Sequence, residues 1–400
     1  MVVISALPMS RFFPLLLYLL GGIGFAVRFL LNQVSVGTND IETWQRFGAY
    51  ISEHGLDALY RADPLFNHPP LAGWYGAVIY RASALWDVPF PQLFRIPGIL
   101  ADCVVGLLLV QLWRQRTPKS LVTQALVFCG FAWSLSSLLV SGYHGNTDPL
   151  YAMLSFVSVL LIRKDRRGLI AGVVLGLSCN VKIIPVILLP VLLVLARTGA
   201  ERGRVILGFF IALIPFAVQL AVSGTVFVSN VLLYPGFPDY WGIMMFIRLS
   251  TVTSLWITWY GILGRIAIVG GIIGVCWYAS RKKIEDGFLL AAVCLCIFAV
   301  AAPGFACQYF CLFPPFLFAL SPRWGFGIAT LTGFAMVASY YQSLVCWYPL
   351  HSVYPSLAGN GTTFLGFLAW LALVVLLVEG LRAIWLRREF SAVDSWLEVH

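Results

Sequence analysis

The chain has 400 residues, of which 60% are hydrophobic and 11% charged, with 26 Lys and Arg against 17 Asp and Glu and a formal net charge of +9. A soluble domain carries roughly 25% charged residues, so the composition excludes an ordinary water-soluble fold. Continuous apolar runs exclude the alternation of a membrane β-barrel, and the basic balance points to cytoplasmic loops rather than to nucleic acid.

The first apolar run, Phe12 to Leu31, follows Arg11 as a secretory signal would. No small-residue cleavage site comes before Arg28, so it reads as an uncleaved first span. Further spans are predicted at 93–113, 121–140, 149–162, 169–181, 183–196, 205–222, 262–280, 287–302, 309–320, 325–346 and 363–386. The fold class is therefore all-α: a polytopic membrane protein of about 12 transmembrane helices (range 10–13) forming one domain over 1–400. Several spans are shorter than about 20 residues, which implies broken helices around a cavity.

Charge sets the orientation. With a cytoplasmic N-terminus, alternation gives the inner side Arg11, then Arg114, Arg116 and Lys119, then Arg163, Lys164, Arg166 and Arg167. Arg197, Arg202 and Arg204 follow, then Arg281, Lys282 and Lys283, then Arg323, and finally Arg382, Arg387 and Arg388. Every inner loop is thus basic, and both termini read as cytoplasmic, with a tail at 387–400. Leu71 to Trp86 is apolar enough to span, but counting it inverts everything downstream. It reads instead as a helix in the outer interface, with Arg81 snorkelling and Trp74 and Trp86 at headgroup level. The outer segments are Asn32–Gln92, which is the longest, then Ser141–Asp148, the vicinity of Lys182, Ser223–Gly261, Pro303–Gln308 and Trp347–Thr363. The nine cysteines show no CxxC pair or zinc spacing and read as small buried hydrophobes, although Cys307 and Cys346 both lie towards the outer surface, where a bridge can form.

Five stretches on the outer side carry polar groups, two of them in the first outer segment. In Val36 to Trp44, Asn39 followed by Glu42 resembles a capping box, and Ile41, Trp44, Gly48 and Ile51 mark one face of a short helix. Asp40 in its first turn is favoured as an ionised carboxylate that can take a proton from a hydroxyl, although Asp40 and Glu42 also suit an ordinary helix start. Tyr60 and Asn67-His68-Pro69-Pro70-Leu71 come next; the prolines hold the chain extended, and a rigid turn with an exposed His68 accounts for them equally. Ser141 to Pro149 packs His144, Asn146 and Asp148 between Gly142 and Gly145, more polar groups than a plain turn needs. Lys182 stands midway through the apolar stretch Leu169–Ala196, where two short helices would meet at the outer end. A cation there is costly unless an anion such as phosphate pairs with it or the chain snorkels to headgroups. Gln308 and Tyr309 lie at the outer end of a later span. Of the five histidines, His54, His68, His144 and His351 fall outside, with no metal-site spacing.

Taken in order, these segments resemble the GT-C superfamily of membrane glycosyltransferases, in particular the polyprenyl-phosphate-mannose-dependent mannosyltransferases of the family 87 type. The resemblance rests on Gly37-Thr38-Asn39-Asp40, Tyr60, His68-Pro69-Pro70-Leu71, Arg95-Ile96-Pro97-Gly98-Ile99-Leu100-Ala101-Asp102, His144-Gly145-Asn146-Thr147-Asp148, Asn180-Val181-Lys182 with Pro185, and Gln308-Tyr309. It covers residues 12 to 385. It implies a GT-C fold with interfacial helices in the outer loop 32–92, and transfer of a hexose, mannose favoured, from a polyprenyl-phosphate donor to a lipid or glycan hydroxyl. Asp40 would be the general base of an inverting attack. Lys182, with His144, Gln308 and Tyr309, would hold the donor phosphate and sugar, while Glu42, Asn146, Asp148 and His68 would give polar support. No cofactor is required, and a divalent cation is left open. The implied setting is a bacterial plasma membrane, with the endoplasmic reticulum as the alternative; Asn360-Gly361-Thr362 is a glycosylation sequon in an outer loop. Two rival readings remain: a lipid-linked glycan polymerase or ligase, which usually has its largest outer loop late in the chain, and a secondary transporter, which would show two related halves.

Overall fold

The computed structural model of the chain describes residues 9–165, 167–234, 241–250, 254–345 and 360–386. Among these, every regular element is a helix. Helix α1 (Met9–Val34) leads into three helices of the first outer segment, α2 (Asn39–His54), α3 (Leu56–Ala62) and α4 (Pro70–Trp86). Then come α5 (Phe90–Arg116), α6 (Leu121–Ala132), α7 (Leu135–Leu139), α8 (Asp148–Asp165), α9 (Gly168–Val181), α10 (Leu189–Leu195), α11 (Gly199–Ala212) and α12 (Ile214–Phe227). The chain ends with α13 (Gly242–Leu249), α14 (Ser254–Lys282), α15 (Gly287–Ala301), α16 (Phe313–Leu320), α17 (Pro322–Val345) and α18 (Asn360–Leu386).

Five helical stretches are long and apolar enough to cross a bilayer: Phe12–Val34, Phe90–Arg116, Ile214–Leu232, Ser254–Lys282 and Phe364–Leu386. The pair Leu121–Ala132 and Leu135–His144, bent by 41°, makes a sixth if taken as one broken span. Their outward faces are apolar, with Leu19, Leu107, Trp277 and Val378 all more than half exposed, as lipid contact requires. The chain is thus a multi-pass, all-helical membrane protein. The finer expectation of about twelve spans goes beyond what helix length supports, because Gly168–Val181, Ile184–Leu195, Gly287–Ala301 and Cys307–Leu320 are apolar but shorter. The run expected at 205–222 is divided after Ala212, where Pro215 begins a new helix without an N–H to continue the old one. The break expected at Lys182 is present: that residue is extended, between α9 and a short 3₁₀ turn at Ile184–Leu188.

Glycine brings α9 against α11. A methyl group on Gly172 would lie 2.1 Å from the Val205 carbonyl oxygen, and one on Gly208 would lie 2.0 Å from that of Leu169. Such contact needs bare backbone, the small-residue packing of membrane helices. Asn180 adds hydrogen bonds to Gly176 O (3.0 Å) and, across the pair, Ala212 O (2.8 Å).

The first outer segment has a core of its own. Ile41, Trp44, Phe47 and Ile51 bury the expected face of α2 together with Leu56, Leu59, Tyr60 and Phe66. Burying each such side chain is worth about 1.5–3 kcal/mol. Helix α12 and the wide turn Val228–Leu232 after it close this cap from the side, with Ser223 donating to Asp57 (2.6 Å) and Asn230 to the Tyr60 carbonyl (3.0 Å). Helix α4 packs on α2, with Trp74 and Trp86 exposed. Arg81 does not simply snorkel: it donates to the Ser52 carbonyl at 3.1 Å. The expected capping box is not formed, because Thr38 is the N-cap of α2 and makes no side-chain cap. Cys346 and His351 lie outside the described residues. Asn360 of the sequon begins α18.

Candidate functional site

Two buried arginines set the position of the first outer turn. Arg28 of α1 pairs with Asp102 of α5 at 3.1 Å, and Ser137 donates to the same carboxylate at 2.6 Å. Arg95 of α5 donates to the carbonyls of Ser35 (3.0 Å) and Val36, gripping the chain as it leaves α1. Gly37 follows with φ +104°, a conformation that favours glycine, and the Tyr143 carbonyl lies where its Cβ would stand. The turn therefore lies directly against the segment Val140–His144, one wide π-helical turn that ends at Gly145 with φ +80°. Thr38 joins the two, its N–H 3.4 Å and its hydroxyl 3.0 Å from the His144 carbonyl.

Asp40 and the His144 loop meet here. Asp40 Oδ2 is 3.0 Å from His144 Nε2 and accepts from the Asn146 amide at 2.8 Å. No described residue donates to Oδ1, and the side chain is 28% exposed. Burial acts to raise the Asp40 pKa, but the charge and hydrogen bond of His144, the charge of Lys182 and the Asn146 amide outweigh it and hold it at about 2. Asp40 is therefore an ionised carboxylate whose Oδ2 has two partners, while Oδ1 has none among the described residues.

The second cluster lies behind the first. Asp148 opens α8 fully buried and accepts from Lys182 Nζ at 3.2 and 3.4 Å and from Tyr151 at 2.7 Å. Lys182 Nζ also lies over the rings of Tyr309 (4.6 Å) and Tyr151 (5.6 Å). The cation is thus compensated within the protein, whereas the sequence suggested an anionic ligand or lipid headgroups. Its charge still reaches Asp40 and His68.

His68 is half-buried rather than exposed, its ring 4.4 Å from that of Trp44, with its carbonyl bound by the Tyr60 hydroxyl at 2.6 Å. Its Nδ1 is buried without a partner among the described residues. Burial, reinforced by Lys182 and opposed by Asp40, lowers its pKa to about 3, so the ring is neutral. Burial likewise raises the Tyr60 phenol. Gln308 is half-buried, and its one described polar contact is Cys307 Sγ at 4.0 Å. Glu42 is exposed on α2 without a described polar contact, so the structure does not bring it to Asp40. Among the described residues, no group of three or more His, Cys, Asp and Glu side chains is arranged to hold a metal ion.

Sequence reasoning missed Thr38, Tyr151 and Tyr340. Tyr151 had a local signal, since it lies one turn after Asp148 on the same helix face. Tyr340, whose hydroxyl is 2.7 Å from His144 Nδ1, had none: 196 residues separate the two.

The arrangement sets an ionised carboxylate within the field of a buried cation, on segments from separate helices of a membrane protein. A catalytic subunit of GPI alpha-1,4-mannosyltransferase I from Danio rerio is 32% identical over 170 residues, which cover 39% of this chain and 42% of that relative, so the match spans about two-fifths of it. The family description "Glycosyltransferase family 87" matches residues 66–303, a span that includes His68, His144, Asn146, Asp148 and Lys182. With more than half its length matched, the chain belongs to glycosyltransferase family 87.

Proposed function

We propose that the protein moves a hexose, mannose favoured, from a polyprenyl-phosphate donor to a hydroxyl of a lipid or glycan on the non-cytoplasmic side of a bacterial plasma membrane. The observation that carries this reading is the half-engaged Asp40 carboxylate, aligned by His144 and Asn146 and near Lys182. In the step, the acceptor oxygen attacks the anomeric carbon as the bond to the phosphate oxygen breaks. The acceptor proton passes to Asp40 Oδ1, and the electron pair of the broken bond stays on the lipid phosphate. A carboxylate held near pKa 2 is a weak base at rest, so the proton moves late, once bond formation has made the hydroxyl acidic. Attack from the face opposite the phosphate inverts the anomeric centre. Lys182 stabilises the charge that develops on the leaving phosphate, with Tyr309 beneath it and Gln308 beside Tyr309 in the chain.

A lipid-borne donor also explains why the catalytic groups are built into a membrane domain. The mannosyltransferase relative supports mannose as the sugar. The test is transfer by the full chain reconstituted in liposomes with a crude lipid extract, supplied with labelled polyprenyl-phosphate-mannose or, in parallel, with a labelled nucleotide-mannose. Label should reach the extract only from the lipid-linked donor. Transfer only from the nucleotide sugar, or from neither, overturns the proposal.

A further inference from the structure

We propose that Tyr340 is a positioning residue: its phenol holds the His144 imidazole in the form that donates Nε2–H to Asp40, which leaves Asp40 Oδ1 for the acceptor hydroxyl. This inference rests on the reading of Asp40 as the general base.

Tyr340 sits near the end of α17 with 5% of its surface exposed. Its hydroxyl is 2.7 Å from His144 Nδ1, and Cys307 Sγ is 3.4 Å from the same hydroxyl. The cationic ring, whose charge lowers the Asp40 pKa, carries a proton on both nitrogens; in its neutral form it carries one. With that proton on Nδ1, the Nε2 lone pair would face the Asp40 oxygen 3.0 Å away, and the two would repel. The proton therefore belongs on Nε2, and Nδ1 needs a donor. Two hydroxyls lie near it, Tyr340 at 2.7 Å and Thr38 at 3.4 Å, but Thr38 spends its proton on the His144 carbonyl at 3.0 Å. Tyr340 is therefore the donor, and the Cys307 thiol donates to its oxygen in turn. If the ring becomes a cation, the same phenol accepts from Nδ1–H, so Nε2–H stays on Asp40 in both forms. Oδ2 then has two donors, Nε2–H and the Asn146 amide, and Oδ1 has none among the described residues.

Thr38 makes the arrangement testable, because its oxygen is an acceptor for the competing tautomer. Tyr340→Phe keeps the ring beside Tyr143 (5.7 Å) but removes the donor. The ring proton can then move to Nδ1, donate to Thr38 and turn the Nε2 lone pair on Asp40. In liposomes with the lipid-linked mannose donor, Tyr340→Phe should lower kcat by about tenfold or more while the donor KM stays within about twofold of wild type. Adding Thr38→Val to Tyr340→Phe removes the competing acceptor and should recover about threefold or more of the lost kcat. A purely structural role would raise KM along with the loss of kcat and would not be rescued. Three results overturn the inference: Tyr340→Phe with a kcat within about twofold of wild type, a KM raised by the same factor as kcat falls, or a double variant no faster than the single one. Asp40→Asn in the same assay separates the two levels. If it is inactive while Tyr340→Phe keeps its kcat, only the role of Tyr340 fails. If it transfers as wild type does, the reading of Asp40 fails.

Discussion

The charges of Asp40 and Lys182 act on each other and on His68, and the surroundings keep Asp40 ionised and His68 neutral. The Asp40 pKa is lowered to about 2, below its unfolded value of about 3.9, so the stability it contributes is present above that value and is lost as the pH falls towards 2. His68 is buried neutral, so the unfolded chain binds a proton that the folded chain refuses between about pH 6.5 and 3. Stability should therefore fall by about 2 kcal/mol as the pH drops from 7.5 to 5, and His68→Gln should flatten that slope in detergent-solubilised thermal unfolding. A slope unchanged by the substitution would show that His68 is not held neutral. The pair Lys182–Asp148 makes a different prediction. Lys182→Met leaves a fully buried carboxylate unpaired, at about 3–5 kcal/mol. Adding Asp148→Asn should restore most of the melting temperature without restoring transfer, if Lys182 also serves the donor phosphate. The sequence pointed to Lys182 because a lone cation in an apolar stretch is visible without any structure. Its partner was not visible, since Asp148 lies 34 residues away and reads locally as a helix start.

The break at Lys182 was legible in an apolar stretch too long for one span and too short for two, and Pro185 sits just beyond it. What holds the break in place was not, because Gly168, Gly172 and Gly176 become a contact surface only when α11 is set against them. Gly172→Leu should drive α9 from α11, at about 3 kcal/mol or more, and carry Lys182 out of register with Asp148. A thermal melt and a transfer assay should both show the loss. Gly270→Ala on α14, where nothing lies within 4 Å of the added methyl, should stay within about 0.5 kcal/mol of wild type. Equal effects at the two positions would remove the packing argument. The face of α2 was read correctly from its periodicity, but its start was not. A capping box needs Asn39 outside the helix, whereas the Thr38–His144 contact makes Thr38 the N-cap.

At the scale of the whole molecule, composition and continuous apolar runs were enough to read an all-helical membrane protein. The number of spans was not readable, because hydropathy cannot distinguish a helix that crosses from one that stops at a bend, as at Trp133, Lys182 and Leu213. The candidate site was legible in part: His144, Asn146 and Lys182 stand out as polar groups in their segments, whereas Asp40 and Asp148 read equally as ordinary helix starts. Their pairing depends on how α2, α7, α8 and α9 pack, which no local spacing encodes. The account as a whole depends on the acceptor proton going to Asp40. The most direct measurement is the rate of mannose transfer by Asp40→Asn beside wild type, in liposomes saturated with labelled polyprenyl-phosphate-mannose. The account predicts wild-type transfer and a loss of about a thousandfold for the variant with its melting temperature retained. Transfer by Asp40→Asn at the wild-type rate would contradict it.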